Sequence, residues 1–401
     1  MNVMSPRTRL LAVVTSTPLV ILVLVGGMLG AARPVTGQQG FDDLPVLRDV
    51  VRLTLGAYVE TPDIEKVMDG AMRGLTDHLD AASAYLPPDE VRALDAGTPL
   101  PAATPGITVS KQFYIKVVGL RDDSPAARAG LRSGDFLRDI DGVPTRDMSV
   151  HTATRMLAGR AGSAVDLLVI RTNMAEPRAM SITREAPGTV RATGRRLPGG
   201  EAYVRVTSFE AGATAQIAAA VHDLGTAAAP GVLIDLRDVA DGTPEAGIEA
   251  ARLFVASGTL ATLAAKHAAP TTTPAATGDG ALTMPTVLLV SNGTGQAAEV
   301  FAAALADNDR ASLVGLPTAG LAGVQTLVRL PEGHGLMLTT ARYVRTDGTP
   351  IHERGLRPDT FVDVPVVPFD QDPPEADATL AKAIEVLKAK FTEALRNRAA
   401  E

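Results

Sequence analysis

The chain has 401 residues, a formal net charge of −7 and 46% hydrophobic residues, enough apolar material for two or three domains with cores of their own. Aromatics are 3% and Trp is absent, so Ala, Val and Leu must do the packing. The modest acidic balance gives no electrostatic footprint for nucleic acid, and zero cysteine excludes disulfides, thiolate catalysis and Cys-ligated metals.

Arg7 and Arg9 precede an uncharged apolar stretch at 10–32, long enough to cross a bilayer that needs ~20 residues. Positive charge before it predicts a cytoplasmic start and an exported remainder. Gly30, Ala31 and Ala32 are also small enough for a signal peptidase, so the segment reads as a transmembrane anchor or a removed signal. The expected location is the inner membrane with periplasmic or other extracytoplasmic domains, or secretion after cleavage.

A polar linker leads to a helical N-terminal region at 44–97, with Val50, Val51, Val67, Ala71, Leu75 and Leu79 at helix-like spacings. Thr61 is its N-cap candidate, with Pro62 at the first helical position. From 103 to 175 the order is strand, short helix, paired strands, helix and strand. "SPAARAGLRSGD" and "IDGVPT" in this stretch resemble a PDZ domain of the circularly permuted bacterial kind. That resemblance implies a carboxylate loop and pairing edge at Gly106, Ile107, Thr108 and Val109, faced by a helix carrying His151, Thr154 and Leu157.

The stretch 195–368 alternates strands and helices, and its strands are continuous apolar runs, as in an α/β core with both sheet faces covered. "KHAAPTTTPAATGDG" reads as a low-complexity loop. At 376–398 an amphipathic helix carries Leu380, Ile384, Leu387, Phe391 and Leu395 on one face and is expected to cap the core. The fold class is therefore multidomain α/β: membrane segment, helical lead-in, PDZ domain, peptidase-like core and C-terminal helix.

Several further motifs follow in order: "YVRVTSF", "LIDLRD", "VGLPTAGLAGVQ", "LTTARYVRTDGTPI" and "GLRPD". Together these resemble the C-terminal processing peptidases, also called tail-specific proteases, whose α/β core is related to crotonase. The resemblance implies a serine nucleophile, a lysine base and an assisting glutamine. Aligning on Glu299 places Gln296 at the nucleophile position and Leu321 at the base position, and the interval between them matches the one expected for the family's pair. Only Gln325 matches in type. The family's oxyanion turn becomes "DLRDVADG", with Asp241 and Gly242 at the glycine pair, which adds a negative charge near where negative charge would develop.

The reading is thus an exported, membrane-associated peptidase homologue that binds protein C-terminal tails through its PDZ domain and has lost its chemistry. One alternative is an active endopeptidase with a displaced nucleophile at Thr294 or Ser291, and His334 or His352 as base. Another is a structural partner of active homologues or a homo-oligomer. No cofactor is expected, and the scattered histidines show no metal-ligand spacing.

Overall fold

The computed structural model describes residues 44–96, 100–172, 174, 176–225, 230–371 and 374–400, so the apolar stretch at 10–32 lies outside the described residues. Among the described residues no helix is long and apolar enough to cross a membrane. The chain divides into two compact units, residues 1–70 and 71–401. Helix α1 (Leu44–Ala57) lies in the first, and α2 (Ile64–Thr76) begins there. The start of α2 differs from the expected Thr61: the Asp63 carboxylate accepts the N–H groups of Glu65 and Lys66, so Asp63 is the cap.

The helical lead-in holds a strand that periodicity did not suggest. β1 (Ala84–Leu86) is buried and pairs antiparallel with a strand late in the chain, and α3 (Pro88–Asp95) follows. Three residues are too few to display a period, so this strand is set by its partner.

The PDZ-like module comprises β2 (Ile107–Lys111), β3 (Ile115–Leu120), α4 (Pro125–Arg128), β4 (Phe136–Ile140), β5 (Val143–Pro144), α5 (Val150–Leu157), β6 (Ala164–Ile170) and β7 (Arg178–Thr183). Its sheet runs β2-β3-β4-β6-β7, leaving β2 at an edge with α5 packed beside it. Ser124 and Ser149 cap the two helices by accepting the Ala127 and Thr152 N–H groups. Val109, Ile115, Leu137, Ala153 and Leu157 belong to one buried cluster that serves this module.

The core opens with β8 (Ala192–Arg196), β9 (Ala202–Val206), α6 (Ala213–Asp223), β10 (Val232–Asp235) and α7 (Pro244–Ala251). It continues through β11 (Thr259–Ala265), β12 (Ala268–Pro274), β13 (Thr286–Val290), α8 (Ala297–Asp307), β14 (Ala311–Gly315), β15 (Gly323–Arg329), β16 (Gly335–Val344) and β17 (Thr360–Phe361), and α9 (Ala378–Ala400) closes the chain. One sheet has the order β17-β14-β13-β10-β9-β8, parallel except for β8.

The apolar runs explain this sheet. Leu288 and Val290 of β13 join the cluster that takes in α6, α7 and α8, while Val287 and Leu289 face the cluster holding Ala383 and Leu387 of α9. Both faces are covered, so the inner strands are mostly apolar, and buried Asp235 of β10 is bonded by Tyr203 and Arg237. The expected cap is α9. The second sheet, β1-β16-β11-β12 with β15 on β16, includes a correction: Ala268–Pro274, read as a low-complexity loop, pairs with β11 as a hairpin. Its side chains are almost all exposed, so no burial pattern marks it.

Candidate active site

The end of β13 leads into the turn that carries the candidate nucleophile position. Thr294 is fully buried; its Oγ1 accepts the Ser291 N–H at 3.0 Å and donates to the Leu236 carbonyl at 2.9 Å. Gly295 N–H donates to Val239 O at 2.9 Å, which fastens this turn to the loop after β10. Gly293 must be glycine: a Cβ there would stand 2.3 Å from Asp238 Oδ1 and 2.7 Å from Val118 O.

Gln296 then adopts φ +49° and ψ −119° at the cap of α8. A non-glycine residue in this region is strained, on the order of 1–3 kcal/mol, and survives because the surrounding bonds over-determine it. Its backbone sits where a strand-to-helix turn would expose a nucleophile above the first N–H groups of a helix, which lack intrahelical partners. The side chain is an amide.

Glu299, one turn along α8, organises the other wall. Its buried carboxylate accepts the Thr318 hydroxyl at 2.5 Å and the N–H groups of Gly320 and Leu321 at 2.6 and 2.7 Å. Burial pushes this carboxyl up to about 7, against the pull of those donors. Leu321 is thereby held in place beside the turn: a Cβ on Gly295 would lie 3.2 Å from Leu321 Cδ1.

Gln296, Leu321 and Gln325 line one cleft of about 1280 Å³, so the sequence-predicted catalytic positions are brought together. Gln325 Nε2 donates to Thr339 Oγ1 at 3.2 Å. Val109, Ser110 and Lys111 of β2 and Val150, His151 and Thr154 of α5 line the same cleft. The PDZ groove and the turn carrying Gln296 are therefore continuous.

Other predicted residues fall elsewhere. Asp241 does not line the cleft: its Oδ1 accepts the Phe209 N–H at 2.9 Å, and burial raises the carboxyl. The charge expected beside a developing oxyanion is instead tied to the strand-following loop. Gly242 has φ +78°, and a Cβ would meet Phe209 Cβ at 2.7 Å.

Gly106, Ile107, Thr108 and Leu157 also lie outside the cleft lining. The Gly106 N–H, an expected carboxylate donor, donates to Thr104 Oγ1 at 3.0 Å, and Ala103 bridges Gly159 beyond α5. The cleft thus takes in the downstream half of β2 and the first turns of α5. His151 reaches it with a buried Nε2 that has no partner among the described residues, and burial lowers its proton affinity.

The displaced-nucleophile candidates, Thr294 and Ser291, are engaged in hydrogen bonds. Thr294 is bonded as described, and the Ser291 hydroxyl donates to Asp238 Oδ1 and accepts the Asp238 and Gly293 N–H groups, each at 3.1 Å. Neither lines the cleft. His334 stacks on Tyr85 and bonds its hydroxyl at 2.5 Å, also outside the cleft. The lysines that do line it come from the PDZ module: Lys111 Nζ is 3.1 Å from Asp77 Oδ1, and Lys116 lies over the Phe136 ring.

Sequence reasoning missed what holds the two walls together. Leu120 N–H donates to Asp238 O at 3.0 Å, and Arg205 clasps Asp122 through Nε and Nη2 at 2.8 and 2.6 Å. Beyond β17 the chain crosses the PDZ module, where Arg132 and Arg171 both donate to Val367 O and Phe369 lies 4.0 Å beneath the Arg171 guanidinium. Among the described residues no cluster of side chains could hold a metal ion.

Comparison with known proteins matches residues 201–362 to the peptidase family S41 and residues 116–171 to a PDZ domain. The chain is 30% identical over 335 residues to a carboxy-terminal-processing protease of Bartonella bacilliformis, covering 82% of this chain and 77% of the relative. A carboxyl-terminal-processing protease of Synechocystis sp. is 32% identical over 268 residues, 66% of this chain; the match spans 62% of that relative's length. Among solved structures, a photosystem II D1 C-terminal processing protease superposes with a TM-score of 0.65 at 26% identity, covering 88% of this chain and 98% of the other.

Proposed function

The chain belongs to the C-terminal processing proteases of peptidase family S41, and from that premise we propose that this member holds extended protein tails without cutting them. The observation that carries the reading is the cleft itself. It runs from β2, the edge strand of the PDZ sheet among the described residues, to Gln296 and Leu321, the residues that the sequence reading places at the family's nucleophile and base positions. An amide does not become an alkoxide, and a leucine side chain takes no proton. The described hydroxyls nearest in sequence, Ser291 and Thr294, are bonded away from the cleft.

The binding half needs no side-chain chemistry. An extended segment adds to the β2 edge through main-chain hydrogen bonds and continues past α5 toward Leu321. The apolar stretch at 10–32 supports a placement at an extracytoplasmic membrane surface, where the ligands are the tails of exported proteins.

The test is fluorescence anisotropy of the full-length chain with an unstructured peptide ending in an apolar tail, in free-carboxylate and amidated forms. Saturable binding that weakens on amidation is expected. No binding of either form would remove the proposal.

A further inference from the structure

We propose that Lys116 is a specificity-determining residue of the cleft, the counter-ion of an Asp or Glu side chain on the bound tail. The inference rests on the peptide-holding reading above and adds what the site selects. Lys116 lies on β3 and lines the cleft together with Ser110 of β2, its partner in the ladder. Its ammonium has no salt-bridge or hydrogen-bond partner among the described residues. It stands 5.8 Å from the centre of the Phe136 ring, at the outer limit of a cation–π contact. Little therefore holds it, and its four-carbon stem lets it turn toward an anion.

The alternation of β3 sets the direction of this side chain. Ile115 and Val117 belong to the buried cluster of the PDZ module, so Lys116 and Val118 turn to the opposite face of the sheet. That face meets the turn after β13: Val118 O is 2.7 Å from where a Cβ on Gly293 would stand, and Val118 and Asn292 both line the cleft. A segment added to the β2 edge alternates in the same way. One set of its side chains faces α5, and the other faces Ser110 and Lys116. β3 and the added segment are then two strand spacings apart, about 10 Å. Ser110, between them, is small, so a lysine and a glutamate leaning toward each other close that distance above it.

Asp77, Asp80 and Glu90, carboxylates of the cleft wall, are engaged elsewhere. Asp77 is 3.1 Å from Lys111 Nζ, and Asp80 accepts the Ala82 and Ser83 N–H groups at 2.8 Å. Glu90 is buried and accepts the Thr152 hydroxyl at 2.7 Å. Glu353 lines the cleft from the loop after β16, where its N–H donates to Gly320 O. Arg155 of α5 adds a second cation without a salt-bridge partner among the described residues. The PDZ side of the cleft therefore presents uncompensated positive charge, which favours an acidic residue over a neutral or basic one.

The experiment measures anisotropy of the full-length chain with tail peptides in which one glutamate is moved along the sequence, each with a glutamine control. Glutamate is expected to bind about fivefold tighter than glutamine at one position, less so two residues away on the same face, and no tighter at the position between. That gain should shrink in salt. Lys116→Gln should abolish the difference between the two peptides. Lys116→Glu should reverse it, so that lysine at this position binds tighter than glutamate. Equal affinity of glutamate and glutamine at every position, or a preference that survives in Lys116→Gln, overturns the assignment and leaves the peptide-holding reading intact. So does a Lys116→Gln effect that disappears when the peptide terminus is amidated, since the counter-ion is then the terminal carboxylate. No binding of any peptide to the wild-type chain overturns both.

Discussion

The turn that carries Gln296 and the groove of the PDZ module meet in one cleft, and the proposed function asks different things of them. The turn keeps its backbone: Gln296 holds its strained φ of +49°, Thr294 bridges β10 and β13, and Glu299 clamps the loop from Thr318 to Leu321. On the function proposed above, its chemistry would reside in two side-chain groups, at the positions where Gln296 and Leu321 stand. The binding proposed for the groove would reside in the main chain of β2, which any sequence able to form that edge supplies. Recognition carried by backbone survives side-chain drift, whereas covalent catalysis ends with the loss of one hydroxyl.

The largest expected effect removes the frame both regions share. Phe301 of α8 is fully buried with ring contacts to Phe209 and Phe254 at 5.6 and 5.8 Å. Phe301→Ala should cost about 3–5 kcal/mol in urea unfolding. Should peptide binding persist once α8 is loosened, the groove would be independent of the turn and the comparison would be between two separate sites.

The next effect concerns the clamp. The Glu299 carboxyl is raised from 4.5 to about 7 in the folded chain, so the native state holds a proton that the unfolded chain has released. Its contribution to stability is therefore greatest below the unfolded value, falls as pH rises toward about 7, and levels off above it, by roughly 3 kcal/mol at most. Urea midpoints measured from pH 4 to 8 should show this decline, and Glu299→Gln should flatten it. An unchanged slope in the variant would locate the proton elsewhere.

A smaller effect tests the strain directly. Gln296→Gly should raise stability by about 1 kcal/mol, since glycine tolerates positive φ. A loss instead would mean that the Gln296 side chain contributes to the cleft wall more than its backbone costs. The smallest effect concerns the clasp between the walls: Asp122→Ala removes one partner of Arg205, which keeps its bonds to the Asp235 and Arg237 carbonyls, and should cost about 1 kcal/mol or less. A large drop in peptide affinity with so small a stability change would show that the clasp sets the spacing of groove and turn.

Much of this was legible in the sequence, for physical reasons. "TVLLV" followed by a glycine turn and an Ala-rich run specifies a doubly covered strand entering a buried helix, and β13 and α8 form there. Gln296, Leu321 and Gln325 were named from the order of the motifs, and all three line the cleft. Features fixed by partners distant in sequence were not legible. β12 is an exposed Ala/Thr/Pro strand held by β11, and β1 exists because β16 pairs with it. The direction of the Asp241 carboxylate depends on the Phe209 N–H, and the approach of His352 to Asp80 joins residues far apart in the sequence.

The central claim is that this cleft binds tails and leaves them whole, and it is tested most directly by following one peptide on one preparation of the full-length chain. Affinity is measured by anisotropy, and the same mixture is sampled by mass spectrometry over a day. The account predicts saturable binding with only the intact peptide mass at every time point. Fragments accumulating in proportion to the amount of chain, and abolished by substituting Thr294 or Ser291, would contradict it and make this cleft an active protease site.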